Sequence, residues 1–213
     1  MNMFRIFGIR WQLGVFTLMF MLHLEGAILY QEATSGDLSD SSSFPTDLGV
    51  LVTGENTVEG VINEGGVSSL PDVFSFTVAV GEVLTALQVE LDSVPQAHFL
   101  AMQDSGGAFY DTQDFLFAAL ISSVQGGQNL LAQYTDGGTV AADNNLPQPQ
   151  GYMLPLGAGD YSLWFQETNG TQVGYTFTLT TQVVPEPSGS MLGGASLLLF
   201  LCHRKRWIGS RNR

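Results

Sequence analysis

Carboxylates are the only groups abundant enough in this chain to do chemistry. Of twenty Asp and Glu residues only Glu25 and Glu186 fall outside positions 28–184, and none of the seven Lys and Arg falls inside them. The central stretch therefore holds eighteen acids and carries about −18 at neutral pH. Two carboxyl groups held about 5 to 9.5 Å apart can cleave a glycosidic bond. Asp111 with Asp114, and Glu90 with Asp92 on one strand face, are the pairs with suitable spacing. Solvated surface is the competing reading for both, since ionised side chains are rarely buried unless paired. Hard cations want several oxygen ligands. Asp37, Asp40 and Asp47 could converge on Asp72 to supply them, although the spacing of an EF-hand loop is absent. No cofactor is required, and calcium is the one metal these residues suggest.

Other reactive groups are scarce. Between positions 28 and 184 the single histidine is His98, and neither Cys nor Lys occurs. No Gly-x-Ser-x-Gly elbow or His-Glu-x-x-His pair is present. A serine triad would need His98 as its base, but in AHFLAM strand parity puts His98 on the face of Leu100 and Met102, a structural position. Zinc needs more His or Cys ligands than this. Trp164 alternates against Tyr161, Leu163 and Phe165. It therefore lies partly buried beneath a loop or offers a sugar a stacking platform. Nucleic acid and anionic lipid are excluded as partners of such a body, because both are bound by neutralising phosphates with Lys and Arg.

The elements that must position these groups read as strands. Apolar residues recur with period two: Phe74, Phe76, Val78 and Val80; Val83, Leu87, Val89 and Leu91; Tyr161, Leu163 and Phe165; Tyr175, Phe177 and Leu179. Glycine-rich turns separate the runs, at Gly65-Gly66, Gly81, Gly106-Gly107, Gly126-Gly127, Gly137-Gly138 and Gly157 to Asp160. The pattern predicts an all-β body, an antiparallel β-sandwich over 48–183. An irregular acidic lead-in over 28–47 precedes it, and Asp143 to Gln150 reads as a loop. The run Asp114 to Val124 is apolar throughout, and periodicity leaves strand and short helix open.

Both ends look like processing segments. Arg5 and Arg10 followed by the apolar run Trp11 to Leu22 predict a secretory signal helix over 1–27, with an uncleaved anchor as the alternative. Gly26 and Ala27 are both small enough to precede the cut, but Glu25 suits a cut after Ala27 poorly. At the other end, Pro185 and Pro187 stiffen Val184 to Ser188, because proline fixes φ and restricts the residue before it. A hydrophobic helix follows over Gly189 to Cys202, 14 residues with three glycines, against the roughly 20 that a spanning helix needs. Arg204, Lys205 and Arg206 close it and would hold its end on the cytoplasmic side. The one cysteine, Cys202, belongs to this tail, so the body cannot form a disulfide.

Pro185, Glu186 and Pro187, the short apolar run and the basic cluster, in that order over 184–213, resemble the PEP-CTERM sorting signal of Gram-negative bacteria. The resemblance implies recognition by exosortase after export, transient anchoring in the inner membrane through the C-terminal helix, and delivery to the cell surface or extracellular matrix. A plain tail anchor is the alternative. The body has a likeness of its own. Asn56 to Gly60, Asp72 to Val78 with Gly81, Leu156 to Tyr161 and a closing strand at Tyr175 resemble the bacterial pre-peptidase C-terminal domain over 48–181. That implies a jelly-roll-like sandwich acting as a non-catalytic accessory module. Some relatives bind calcium and collagen, though no ligand position of theirs aligns with this chain residue by residue. The expectation is an exported, non-enzymatic surface or matrix protein. Its partners would be exosortase, the export machinery and extracellular polysaccharide. A calcium-dependent or carbohydrate-binding module and a secreted glycosidase are the alternatives.

Overall fold

A computed structural model of the chain describes residues 26–62, 70–92, 96–105, 115–138, 151–168 and 170–185. Nine strands make up most of these: β1 (Ala27–Gln31), β2 (Thr46–Val50), β3 (Gly54–Ile62), β4 (Asp72–Val78), β5 (Glu82–Leu91), β6 (His98–Gln103), β7 (Phe115–Ile121), β8 (Gly159–Glu167) and β9 (Val173–Val183). Two short helices, α1 (Glu32–Ser35) and α2 (Leu130–Gln133), complete the picture with a 3-10 turn at Ser123–Gln125. The strands form a four-stranded sheet in the order β1-β3-β9-β5 and a five-stranded sheet in the order β2-β4-β8-β6-β7. One apolar core lies between them. Phe177 of the first sheet meets Phe74 and Phe165 of the second at ring distances of 6.0 and 5.3 Å.

The fold is all-β, but the two sheets are mixed rather than purely antiparallel. β1 runs parallel to β3 and β2 runs parallel to β4. The cause is the order in which the chain visits the sheets: β1 to β4 alternate between them, so every second strand returns to the same sheet in the same direction. The lead-in expected to be irregular over 28–47 is thus corrected in part. It contributes β1, α1 and the first residues of β2, while 36–45 between them is free of regular structure apart from a bridge at Ser39.

Alternation places most of the expected inward residues. Phe74, Phe76, Val78, Tyr161, Leu163, Phe165, Tyr175, Phe177 and Leu179 are all buried. Two positions differ. Val80 lies beyond the end of β4 and is 96% exposed, because the chain is already turning at Gly81, whose φ of 85° suits glycine. On β5 the register shifts between Leu84 and Ala86, and this bulge makes Leu84 rather than Val83 the buried residue before Leu87 and Val89. The open choice over 114–124 resolves to strand β7 over Phe115–Ile121, followed by the 3-10 turn at Ser123–Gln125, with Asp114 outside the described residues. Among the described residues no helix is long and apolar enough to cross a membrane. The expected signal helix, the hydrophobic tail and the loop at Asp143 to Gln150 lie outside them.

Candidate functional site

Carboxylates gather where the first residue of β4 meets the start of α1. Asp72 shares strand parity with Phe74 and Phe76, so the alternation that builds the core also turns this acid inward. Its residue is only 5% exposed. The Tyr175 hydroxyl, reaching across from β9, donates to Asp72 Oδ2 at 2.7 Å. Glu32, at the start of α1, is anchored by two backbone donors: Leu38 N–H to Oε1 at 2.9 Å and Val61 N–H to Oε2 at 2.6 Å. Asp37 follows α1. One carboxylate oxygen each from Glu32, Asp37 and Asp72 lies within 4.8 Å of the others. Gly60 makes the approach possible, since a β-carbon there would collide with the Tyr175 hydroxyl and the Glu32 carboxyl carbon.

Three carboxylates this close cannot all stay charged without compensation. Burial pushes the Asp72 carboxyl up to about 8. The Tyr175 hydrogen bond opposes that rise, and the charges of Glu32, Asp37 and Asp40 add to it. Burial also raises Glu32, against the pull of its two backbone donors and with a contribution from Asp37. Tyr175 is held far into its neutral form, first by burial and then by the charge of Asp72. Two species satisfy such a cluster: a proton on Asp72, or a hard cation drawn to the three oxygens.

Beside the cluster opens a cleft of about 430 Å³ whose lining includes Glu32, Glu59, Glu90, Asp92 and Tyr175. Its floor is regular. Glu59, Thr176 and Glu90 lie side by side across β3, β9 and β5, and Gln31 Nε2 donates to Glu59 Oε2 at 2.7 Å. Asp92 Oδ1 accepts from Gly174 N–H at 2.7 Å.

The other expected groups fall as follows. Asp37 and Asp72 converge as anticipated. Asp40 contributes only charge, and Asp47 instead accepts from Gly49 N–H at 2.8 Å in its own turn. Their partners Glu32 and Tyr175 were missed; no local pattern marks Glu32, whereas the inward parity of Asp72 was legible. Glu90 and Asp92 share the cleft, and Asp111 and Asp114 lie outside the described residues. His98 is fully buried on the face of Leu100 and Met102, its ring 5.9 Å from Phe165, and burial pulls its pKa down with the charge of Glu167 opposing. Trp164 is half-buried edge-on against Phe99 at 6.1 Å, and its Nε1 donates to Gln166 Oε1 at 3.1 Å.

Pro185 is exposed two residues after β9 ends; Glu186, Pro187, Cys202, Arg204, Lys205 and Arg206 lie outside the described residues. Comparison with protein-family models, with curated proteins and with solved structures finds no match to this chain.

Proposed function

We propose that this is an exported, non-enzymatic module of the cell surface or extracellular matrix, sorted and processed through its C-terminal segment by an exosortase-type transpeptidase. One observation carries the reading: the last described strand ends just before the sorting segment begins. Strand β9 is an inner strand of its sheet and ends at Val183, and Val184 N–H still donates to Gly81 O at 2.8 Å. Exposed Pro185 then opens the Pro-Glu-Pro triplet. A cut beyond that point would leave every described strand of both sheets intact. The two-sheet core supports the sandwich part of the likeness to an accessory module, while the parallel pairs β1–β3 and β2–β4 depart from a purely antiparallel jelly roll. His98 lies enclosed against Phe165 rather than at a surface where it could meet a serine and a substrate.

The test is the intact mass and location of the protein in its native host, with and without Glu186→Ala. Loss of the chain beyond the Pro-Glu-Pro region together with a surface or extracellular location, both abolished by the substitution, is the expected result. A full-length C-terminus in the membrane fraction of the unsubstituted protein would overturn it. A second reading, a module whose body is tightened by calcium, is favoured by the convergence of Glu32, Asp37 and Asp72.

A further inference from the structure

We propose that the export leader is cut between Gly26 and Ala27, and that the ammonium group created at Ala27 rests against Glu55 and fastens β1 to β3. The inference builds on the exported reading above and locates a processing site within it.

Strand pairing sets the first constraint. β1 begins at Ala27, which lies in register with Asn56 of β3, followed by Ile28 with Thr57. A cut after Gly26 keeps all five residues of β1, whereas a cut after Ala27 removes the first partner of an edge strand that is already short. The residues before the bond agree. Cleavage after Gly26 places uncharged Leu24 three residues before the cut; cleavage after Ala27 would place charged Glu25 there.

Contact geometry supplies the second constraint. Gly26 runs against Glu55 so closely that a β-carbon on it would meet Glu55 Cβ at 3.2 Å, the Glu55 carbonyl oxygen at 3.4 Å and Oε2 at 3.7 Å. Glycine is therefore suited to this position, and the next nitrogen along the chain belongs to Ala27. Hydrolysis consumes one water, leaves the new carboxylate on Gly26 with the departing leader and leaves the amine on Ala27. Protonated, that amine faces a body in which positions 28–184 hold eighteen acids and no Lys or Arg. It becomes the one permanently placed cation of the body at neutral pH, next to an exposed carboxylate. Maturation and the seating of β1 would then be a single event.

The chain's composition makes the test clean, because its one lysine is Lys205, in the tail. Full-length protein expressed in an exporting host is recovered and its N-terminal residue determined by intact mass and sequencing. A start at Ala27 is expected. A start at Ile28 or any other internal residue overturns the proposal while leaving export intact, and a retained Met1 overturns the cleaved-leader reading itself. The recovered protein is then treated with acetic anhydride, with modification at the N-terminus verified by peptide mass. Acetylation should lower the melting temperature by about 1 to 3 °C, the size expected of an exposed ion pair in a domain of this length. In Glu55→Gln it should leave the melting temperature unchanged. An equal fall in both proteins, or none in the unsubstituted one, overturns the contact with Glu55.

Discussion

The outer faces of the two sheets are built on opposite principles. Across the four-stranded sheet, Thr57, Thr178 and Gln88 lie in one cross-strand row, and Glu59, Thr176 and Glu90 in the next, all open to solvent to some degree. That is the polar exterior a two-sheet protein is expected to show. Across the five-stranded sheet the corresponding row is Val73, Trp164, Ala101 and Ala118. Val73 and Ala101 are fully buried, and Phe99 and Phe115 extend the same outer cluster. The polar groups are displaced in the opposite sense. Of eight buried polar residues among those described, Asp72, Ser75, His98, Gln103, Ser162 and Glu167 belong to the five-stranded sheet and only Asn56 and Thr181 to the other. One sheet separates polar from apolar by face. The other buries both kinds on both sides, and Asp72 and His98, whose pKa values burial shifts in opposite directions, both lie on it.

The largest effect should come from placing the same charge on each outer face. Ala101→Asp puts an ionised group where no solvent reaches, beside Trp164 and Ala118, and should cost about 4 kcal/mol or prevent folding. Thr178→Asp, on the half-buried row of the other sheet, should cost about 1 kcal/mol or less. Denaturant unfolding of the two variants checks the contrast. Equal losses would mean that the four-stranded sheet is covered as well and that its polar face is not a free surface.

A smaller effect should follow pH. Folded Asp72 keeps its proton up to about pH 8, whereas an unfolded Asp releases it near about 3.9. Between those values the folded chain binds the extra proton. This group's contribution is therefore complete at low pH and is lost as pH rises through the folded value. Stability should fall by on the order of 3 to 4 kcal/mol between about pH 5 and pH 8, and Asp72→Asn should remove that part of the slope. His98, lowered by burial, acts in the reverse direction and loses stability as pH falls, but it is common to both proteins and cancels in the difference. Calcium separates the two ways of satisfying the cluster. If Glu32, Asp37 and Asp72 take a cation, calcium at pH 8 should raise the melting temperature of the unsubstituted chain and not of Asp72→Asn. A flat titration removes the calcium reading and leaves the proton.

The contrast between the sheets also explains what could be read from the amino-acid order. β4, β8 and β9 show their inward residues by simple alternation, and β9 is the clearest because Tyr175, Phe177 and Leu179 face a core while Thr176, Thr178 and Thr180 face water. β7 stayed ambiguous because Phe117, Ala119 and Ile121 fill the core while Phe115 and Ala118 fill the outer cluster, which erases the period. β1 and β2 escaped for a different reason. Each is a short edge strand whose partner lies in a later strand reached by way of the opposite sheet, so no hairpin turn announces either one. Two of the three clustered carboxylates were legible on the same terms. Asp72 and Asp37 were singled out from composition and position, whereas Glu32 and Tyr175 join them only because α1 and β9 carry them there.

The exposed edges carry the comparison one step further. Among the described residues the outer edge of β7 is met by the backbone bond Ala118 N–H to Gly137 O at 3.1 Å, whereas that of β5 is closed by a two-bond backbone bridge between Leu84 and Leu156 and by one side chain. Asn129 Nδ2 donates to Thr85 O at 3.0 Å, and its Oδ1 accepts from Leu87 N–H at 3.4 Å and, as the N-cap of α2, from Leu131 and Ala132 N–H. Gly127 N–H adds a bond to Val89 O at 3.1 Å. An amide that serves as both helix cap and strand partner leaves the ten-residue edge strand β5 fewer free groups with which to recruit another chain. Asn129→Ala should therefore cost about 1 to 2 kcal/mol, the loss of a cap together with the strand bonds. It should also do what neither charge substitution does and raise the rate of aggregation at constant stability. That separation can be measured by comparing light scattering of Asn129→Ala with that of a core variant such as Val89→Ala at denaturant concentrations that equalise their folded fractions. Faster growth only in Asn129→Ala would assign the side chain to edge protection, while equal growth would reduce it to a cap.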